Sequence, residues 1–282
     1  SMESVSNTEL NSDFATIAAA ANGDLWTAWV EYANDKNAVM ARRQSGGSWS
    51  AIEKVSGDHT DVFLVKAARD GKGGVVFVWS AQVNGNFDVY ARRHDGRSWG
   101  AIERLSEAPQ PDIYVTATTD AEGSVWAAWQ GFRNGKSDII VRRWNGSWQP
   151  AETVSTSAAN DWQPALAADK AGRVYAAWDT YDKGNYDIMV RRWEKGSWAT
   201  PVAIADTGKY EAYPSIACDG QNRLWIAWNE SGFEWGKDTG FLPKLEGTAL
   251  YSWRIVKTAV LTSAGLQEPA ARFEESMPQA LQ

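Results

Sequence analysis

The sequence predicts an all-β protein: a five-bladed β-propeller of four-stranded antiparallel blades. Three observations predict this fold. Tryptophan recurs in steps of 49 or 50 residues, at Trp29, Trp79, Trp129, Trp178 and Trp228. An Arg-Arg pair and a Ser-Trp turn recur with nearly the same step. Each repeat also contains four short strand signals separated by turns, which is the pattern of propeller blades.

The repeats share one order of elements, and together they predict a single domain over residues 1–282. The first turn begins with Asp and ends with Gly, as in a type I turn. The second turn is Asn-Gly or Lys-Gly, a hairpin signal, and the third precedes the Ser-Trp pair. The predicted blades cover residues 14–56, 62–106, 113–155, 162–206 and 212–262.

Both ends of the chain offer a strand that could close the ring. Residues 3–6, Glu-Ser-Val-Ser, repeat the outer-strand sequence of Glu53–Ser56, so we expect the N-terminal segment to complete the last blade. The C-terminal tail, residues 266–282, has lost the repeat. Its segment Gln267–Ala270 is similar to Gln149–Glu152, so the tail is the alternative source of that strand.

Composition excludes several classes of partner. The net charge of −7 and pI of about 5.0 argue against binding nucleic-acid or anionic membrane surfaces. No apolar run approaches the roughly 18–20 residues of a membrane-spanning helix. One cysteine and two histidines leave no set of Cys or His ligands, so neither a metal site nor a cofactor is expected. We expect a monomer.

The arginine pairs and the turns that follow them are the most regular polar features. Two neighbouring strand residues point to opposite faces of the sheet. We expect one arginine of each pair to pack along a tryptophan or to pair with an aspartate that opens the third strand. Those aspartates are Asp88, Asp138 and Asp187.

The turn Asp95–Trp99 resembles a degenerate Asp-box of the sialidase-like, BNR-repeat propellers. The segments Ala177–Tyr181, Gly184–Asp187 and Trp235–Asp238 are similar to uncharacterised propeller domains of secreted bacterial proteins. This resemblance covers nearly the whole chain. It implies a propeller fold, an extracytoplasmic location, either secreted or periplasmic, and a neighbouring domain in a longer native chain. The arginine triad and Tyr/Glu pair of sialidases have no counterpart here, so sialidase activity is not expected.

An acid lies near the start of each predicted innermost strand. Five carboxylates that converge on one axis could bind a cation or hold sugar hydroxyl groups. Alternatively, each acid ends its strand by accepting a nearby backbone N–H, and its recurrence in every blade favours this interpretation. The five acids are Asp13, Asp61, Asp112, Asp161 and Glu211.

The fourth and fifth repeats depart most from the pattern, and their loops combine aromatic rings with carboxylates. An aromatic ring can stack on the apolar face of a sugar while carboxylates accept its hydroxyl groups. We therefore expect a carbohydrate-binding module, with Trp162 and Trp235 as its central rings, unless these two only fix loops to the blade edge. The candidate ligand-binding residues are Trp162, Tyr181, Tyr186, Tyr210, Tyr213, Trp235 and Lys237.

The same loops could hydrolyse a glycan. A glycosidase needs two carboxyl groups about 5–9.5 Å apart, one of them a proton donor. No short motif selects a pair here, so whether the protein is an enzyme stays open. A scaffold that docks another protein is the third alternative. The candidate catalytic acids are Asp161, Asp179, Glu211, Glu230, Glu234 and Asp238.

Overall fold

A computed structural model describes residues 4–232, 254–262 and 265–267 of the chain. Every helix or strand in these ranges is a β-strand, and the strands form five antiparallel sheets. We call each sheet a blade and number the blades in chain order. Four predicted site residues lie outside the described residues: Glu234, Trp235, Lys237 and Asp238.

The strands follow the predicted repeats. Blade one consists of β1 (Asn11–Ala19), β2 (Leu25–Ala33), β3 (Lys36–Ser45), β4 (Ser48–Trp49) and β5 (Glu53–Lys54). Blade two consists of β6 (Val62–Arg69), β7 (Val75–Val83), β8 (Asn86–His94) and β9 (Trp99–Arg104). Blade three consists of β10 (Asp112–Thr119), β11 (Val125–Arg133), β12 (Lys136–Trp144) and β13 (Glu152–Thr153).

The last two blades have the same order. Blade four consists of β14 (Asp161–Ala168), β15 (Val174–Thr180), β16 (Asp187–Glu194), β17 (Ser197–Trp198) and β18 (Val202–Ala205). Blade five consists of β19 (Tyr210–Cys218), β20 (Leu224–Ser231), β21 (Ile255–Thr262) and β22 (Gly265–Gln267). In blades one and four the two short outer strands pair with the same third strand, so they form one interrupted outer strand.

The predicted turn chemistry is confirmed. In blade two, Asp70 Oδ1 accepts the backbone N–H groups of Lys72 and Gly74 at 2.8 and 2.7 Å, which fixes the first turn. The hairpin residues Asn84 and Gly85 have φ values of 54° and 82°. A type I′ hairpin turn requires positive φ at both positions, and Asn-Gly is the sequence that best tolerates it.

The core lies between consecutive blades, as the tryptophan repeat predicts. Each of four hydrophobic clusters combines residues of two neighbouring blades. Trp79, Trp129 and Trp178 are 0%, 0% and 2% exposed. The innermost strands contact one another in chain order, and all five line one cavity of about 440 Å³. Five sheets around a shared cavity form a β-propeller.

The first arginine of each pair connects a blade to its predecessor. Arg92, Arg142 and Arg191 each donate Nε to a carbonyl of their own outer strand or the turn before it, at 2.6–2.9 Å. Their Nη1 groups donate to the backbone carbonyls of Val55, Leu105 and Val154 in the preceding blade, at 2.7–3.2 Å.

In blades two and three the second arginine of the pair binds the first turn of its own blade, whereas Arg192 of blade four pairs with Glu194 at 3.3 Å. Arg93 pairs with Asp70, and Arg143 Nη2 lies 3.4 Å from Asp120. Arg143 also lies over the Trp126 ring, 5.5 Å from its centroid, so the predicted packing on tryptophan is confirmed. The other alternative, pairing with the aspartates that open the third strands, is not the one adopted, because Arg93 and Arg143 reach the turn aspartates instead.

Closure of the ring by residues 3–6 stays a prediction, and one contact favours it. Arg42 Nη1 donates to the carbonyl of Val5 at 3.2 Å, the same kind of bond that Arg92 makes to Val55. Residues 4–10 form no strand. The C-terminal segment does supply β22, which pairs with β21 over Val260–Thr262.

Candidate functional site

Only the last three blades have a buried acid at the start of the innermost strand. The equivalent register positions in blades one and two are Ser12 and Val62, and the nearby Asp13 and Asp61 are exposed. A shift of one residue turns a strand side chain to the opposite face. The alternative in which five carboxylates converge on one axis is therefore wrong. The three buried acids are Asp112, Asp161 and Glu211, which are 0%, 0% and 1% exposed.

Just after these positions, every innermost strand contains a bulge. The strand register breaks there, and one residue has a positive φ. A positive φ at a non-glycine residue destabilises the fold by roughly 1–3 kcal/mol. Bulges are common near functional sites, where they change the direction of a side chain. The residues and their φ values are Phe14 (53°), Leu64 (55°), Tyr114 (57°), Gln163 (52°) and Tyr213 (59°).

The bulges of blades three to five border a second cavity of about 260 Å³. Its described walls combine aromatic rings, two amides and one carboxyl group, and we call it the aromatic cavity. Trp162 and Tyr186 are 5.3 Å apart between ring centroids, and Tyr186 and Tyr210 are 5.2 Å apart. The lining residues are Tyr114, Gln130, Trp162, Gln163, Asp179, Tyr186, Tyr210 and Tyr213.

Asp179 is the unusual group in this cavity. Its side chain is 2% exposed, and among the described residues its Oδ1 has no hydrogen-bond donor. Burial, with a further contribution from the Asp161 carboxylate, raises the pKa of Asp179 well above its ordinary value. Oε1 of Gln130, also buried, has no donor within the described part of the chain either. Each unpaired buried polar atom destabilises the folded protein by about 1–3 kcal/mol, so a ligand that forms hydrogen bonds to these atoms would bind more tightly.

The other candidate acids of the described ranges have partners of their own. Ser157 Oγ lies 3.1 and 3.0 Å from the two carboxylate oxygens of Asp161. Thr207 donates its hydroxyl to Glu211 at 2.7 Å, and Lys209 forms an ion pair with Glu230 at 2.9 Å. These acids are therefore held by the fold.

The strand register explains why Asp179, and not Asp161, faces the aromatic cavity. Asp179 is opposite Trp162, and Asp161 is opposite Thr180. Residues opposite each other across a strand pair share a face, and successive residues alternate faces. Asp179 and Trp162 therefore share the cavity side of blade four, while Asp161 lies on the other side. Among the described residues, no second candidate carboxyl group lines this cavity.

Most of the predicted aromatic residues lie together. Four of them line the cavity, and Tyr181 contacts Tyr186 at a centroid distance of 5.1 Å. Sequence reasoning missed Tyr114, Gln130 and Gln163. Tyr114 and Gln130 belong to the regular third repeat, so no departure from the pattern identifies them. Tyr114 and Gln163 each lie two residues after a buried acid, and this position is a signal that could have identified them.

Two general properties concern the described residues as a whole. In those ranges, no three His, Cys, Asp or Glu side chains are grouped so that they could hold a metal ion. None of the described segments is a helix long and apolar enough to cross a membrane.

Comparison with known proteins supports the fold. No family model and no curated protein sequence matches this chain. A protein of unknown function from Dyadobacter fermentans is similar in structure, with a TM-score of 0.58, 11% identity and coverage of 79% of this chain and 76% of that one. An α-L-arabinanase of Penicillium chrysogenum, complexed with arabinobiose, has a TM-score of 0.58, 12% identity and coverage of 78% and 77%. A GH93 α-L-arabinofuranosidase of Fusarium graminearum, also with arabinobiose, has a TM-score of 0.51, 14% identity and coverage of 78% and 77%.

Proposed function

We propose that this protein is a carbohydrate-binding propeller module and that the aromatic cavity is its glycan site. One observation carries the proposal: two buried oxygen atoms, on Asp179 and Gln130, have no donor within the described ranges and lie among the aromatic rings. Rings offer apolar faces, and a few placed polar groups fix orientation, which is the usual composition of small-ligand sites.

The chemistry of these groups matches a sugar. A protonated Asp179 donates through its carboxyl O–H and accepts through its other oxygen, and Gln130 accepts through Oε1. A sugar hydroxyl is both a donor and an acceptor, so one ring can satisfy both. The cavity volume of about 260 Å³ is near the lower end of ordinary ligand pockets. The site therefore suits the end of a saccharide chain.

Two further considerations support a carbohydrate partner. The arabinanase and the arabinofuranosidase of similar fold were both solved with arabinobiose. The resemblance to secreted bacterial propellers supports a location outside the cytoplasm, where polysaccharides are available, and a neighbouring domain in a longer chain.

Trp162→Ala tests the glycan site. A glycan array would first identify a ligand, and titration calorimetry would then compare variants. We expect Trp162→Ala to weaken binding at least about tenfold, because loss of a stacked ring costs roughly 1.4 kcal/mol or more. Trp49→Ala removes a half-buried tryptophan from the outer strand of blade one, and this variant should bind glycan as the wild type does. Failure of every glycan to bind, or equal losses in both variants, would contradict the proposal.

Glycoside hydrolysis is the second candidate, and Asp179 is the observation that favours it. A carboxyl group kept protonated by burial can act as a general acid toward a glycosidic oxygen. If a screen of labelled oligosaccharides finds turnover, Asp179→Asn should lower kcat by about 10²–10⁴-fold while the ligand still binds. An unchanged kcat would exclude Asp179 as the proton donor and leave recognition as the function.

A further inference from the structure

A third cavity lies on the opposite side of blade four, and we call it the blade-four cavity. It has a volume of about 230 Å³, and its lining includes Trp178, Met189 and Ala203. Trp178 is opposite Met189, and Met189 is opposite Ala203, so these residues share one face of the sheet. Since Asp179 follows Trp178 directly, the aromatic cavity is on the other face.

Asp187 is the buried charge that lines this cavity, and blades two and three show what such a residue requires. Asp88 and Asp138 occupy the same position near the start of the third strand, and all three aspartates are buried. Asp88 pairs with Arg104 at 2.7 Å, and Asp138 pairs with Lys136. A buried carboxylate is ordinarily compensated by such a cation.

Blade four has lost both cations. Ala203 stands opposite Met189, as Arg104 stands opposite Tyr90, so alanine replaces that arginine. Asn185 stands two residues before Asp187, where Lys136 precedes Asp138. The Asn185 amide donates to Asp187, but no described Lys, Arg or His forms an ion pair with this carboxylate.

The serine that supports the other two aspartates is also missing. Ser106 and Ser155 donate to Asp88 and Asp138 at 3.4 and 3.3 Å. The equivalent residue of blade four is Ala205. Since Ala203 itself lines the cavity, the space that an arginine side chain would fill is open beside a buried carboxylate.

We propose that the blade-four cavity binds the alkylguanidinium group of a ligand, which pairs with Asp187 as Arg104 pairs with Asp88. Guanidinium is the cation that the fold itself uses at this position, and its planar N–H groups match a carboxylate. Trp178 and Met189 provide apolar walls for the alkyl stem. Asp182, Asp206 and Lys183 also line the cavity, so its charged groups favour a cation.

The titration of Asp187 agrees with this geometry. Burial raises its pKa to about 6, and the nearby carboxylates of Asp206 and Glu211 contribute in the same direction, while Lys183 opposes them. A bound cation stabilises the ionised form, so the ligand should bind more tightly as Asp187 loses its proton. Affinity should therefore rise between pH 5 and pH 7.

The experiment uses methylguanidinium and the tripeptide Gly-Arg-Gly as probes, with binding to the whole protein followed by NMR at low salt. We expect saturable binding with a dissociation constant of about 1–10 mM, tighter at pH 7 than at pH 5. Binding of both probes indicates a site for free guanidinium groups, and binding of the tripeptide alone indicates a peptide arginine. Either result supports the proposal.

Two variants make the test specific. Ala203→Arg should fill the cavity with its own guanidinium, weaken binding at least about tenfold and raise the melting temperature by about 2–4 °C. Asp187→Asn should weaken binding to the same extent without adding volume. Absence of saturable binding to the wild type, or equal binding to the wild type and Asp187→Asn, would overturn the proposal. Because this cavity is on the opposite face from the aromatic cavity, neither result depends on glycan binding.

Discussion

Replacing Asp179 with asparagine should raise the free energy of unfolding at pH 7 by about 1–3 kcal/mol. The carboxyl group is buried, and among the described residues its Oδ1 has no donor, so its pKa is raised in the folded state. The folded protein therefore holds a proton that the unfolded chain releases at neutral pH, and this opposes folding. Asparagine has a similar shape, and its amide does not titrate, so the variant folds without taking up a proton.

The stability difference between Asp179→Asn and the wild type should depend on pH. Because the folded pKa lies above the unfolded one, stability falls as pH rises above the ordinary carboxyl range near 4. The advantage of Asp179→Asn should therefore grow between pH 4 and pH 8, as measured by urea unfolding. Asp120→Asn is the control, because Asp120 accepts the Trp126 indole N–H at 2.8 Å and should lose stability when changed. An Asp179→Asn variant that is no more stable at pH 8 would contradict the account.

Trp129→Ala should lower the free energy of unfolding by about 3–5 kcal/mol, the usual range for a fully buried tryptophan. Its side chain is 0% exposed and packs between blades two and three. Its indole N–H donates to Asp112 Oδ1 at 2.8 Å, and Arg133 donates to the same oxygen at 2.8 Å. Alanine would leave both a cavity and a buried carboxylate with one donor fewer.

Two matched variants separate these contributions, each measured by urea unfolding followed by circular dichroism. Trp129→Phe retains most of the volume but not the N–H group, so it should cost less than Trp129→Ala. Trp49→Ala removes a half-buried tryptophan of the outer strand and should cost less than either. If Trp49→Ala proved as costly as Trp129→Ala, the tryptophan repeat would not mark the packing between blades.

The repeat predicted the architecture because the packing it requires is itself repeated. Trp79, Trp129 and Trp178 of the second strands are buried between two sheets, so their spacing records the length of a blade. The Asp-containing first turn and the Asn-Gly hairpin are local structures, and their residues determine them directly. Closure of the ring depends on contacts between distant ends of the chain, and the sequence offers two segments for it.

The site was less predictable, because it depends on register and on neighbours in space. Asp13 and Asp61 are exposed because a single residue of register separates them from the buried position that the later acids occupy. Tyr114 and Gln130 come from a regular blade and become part of the site only because blade four lies beside them. Asp179 is separated from the other candidate acids because it lies on the same face of blade four as Trp162. The composition of the loops does not reveal this face.

The arginines that join neighbouring blades have an evolutionary consequence. Arg92, Arg142 and Arg191 each recognise a main-chain carbonyl of the preceding outer strand, and every amino acid has that group. The alignment of the ring is thus insensitive to which side chains the outer strands display. Mutations can accumulate there without disturbing the assembly of the blades, so Val202–Ala205 could diverge from the Glu-x-Val-Ser or Glu-x-Leu-Ser sequence of the earlier repeats and acquire a new surface chemistry.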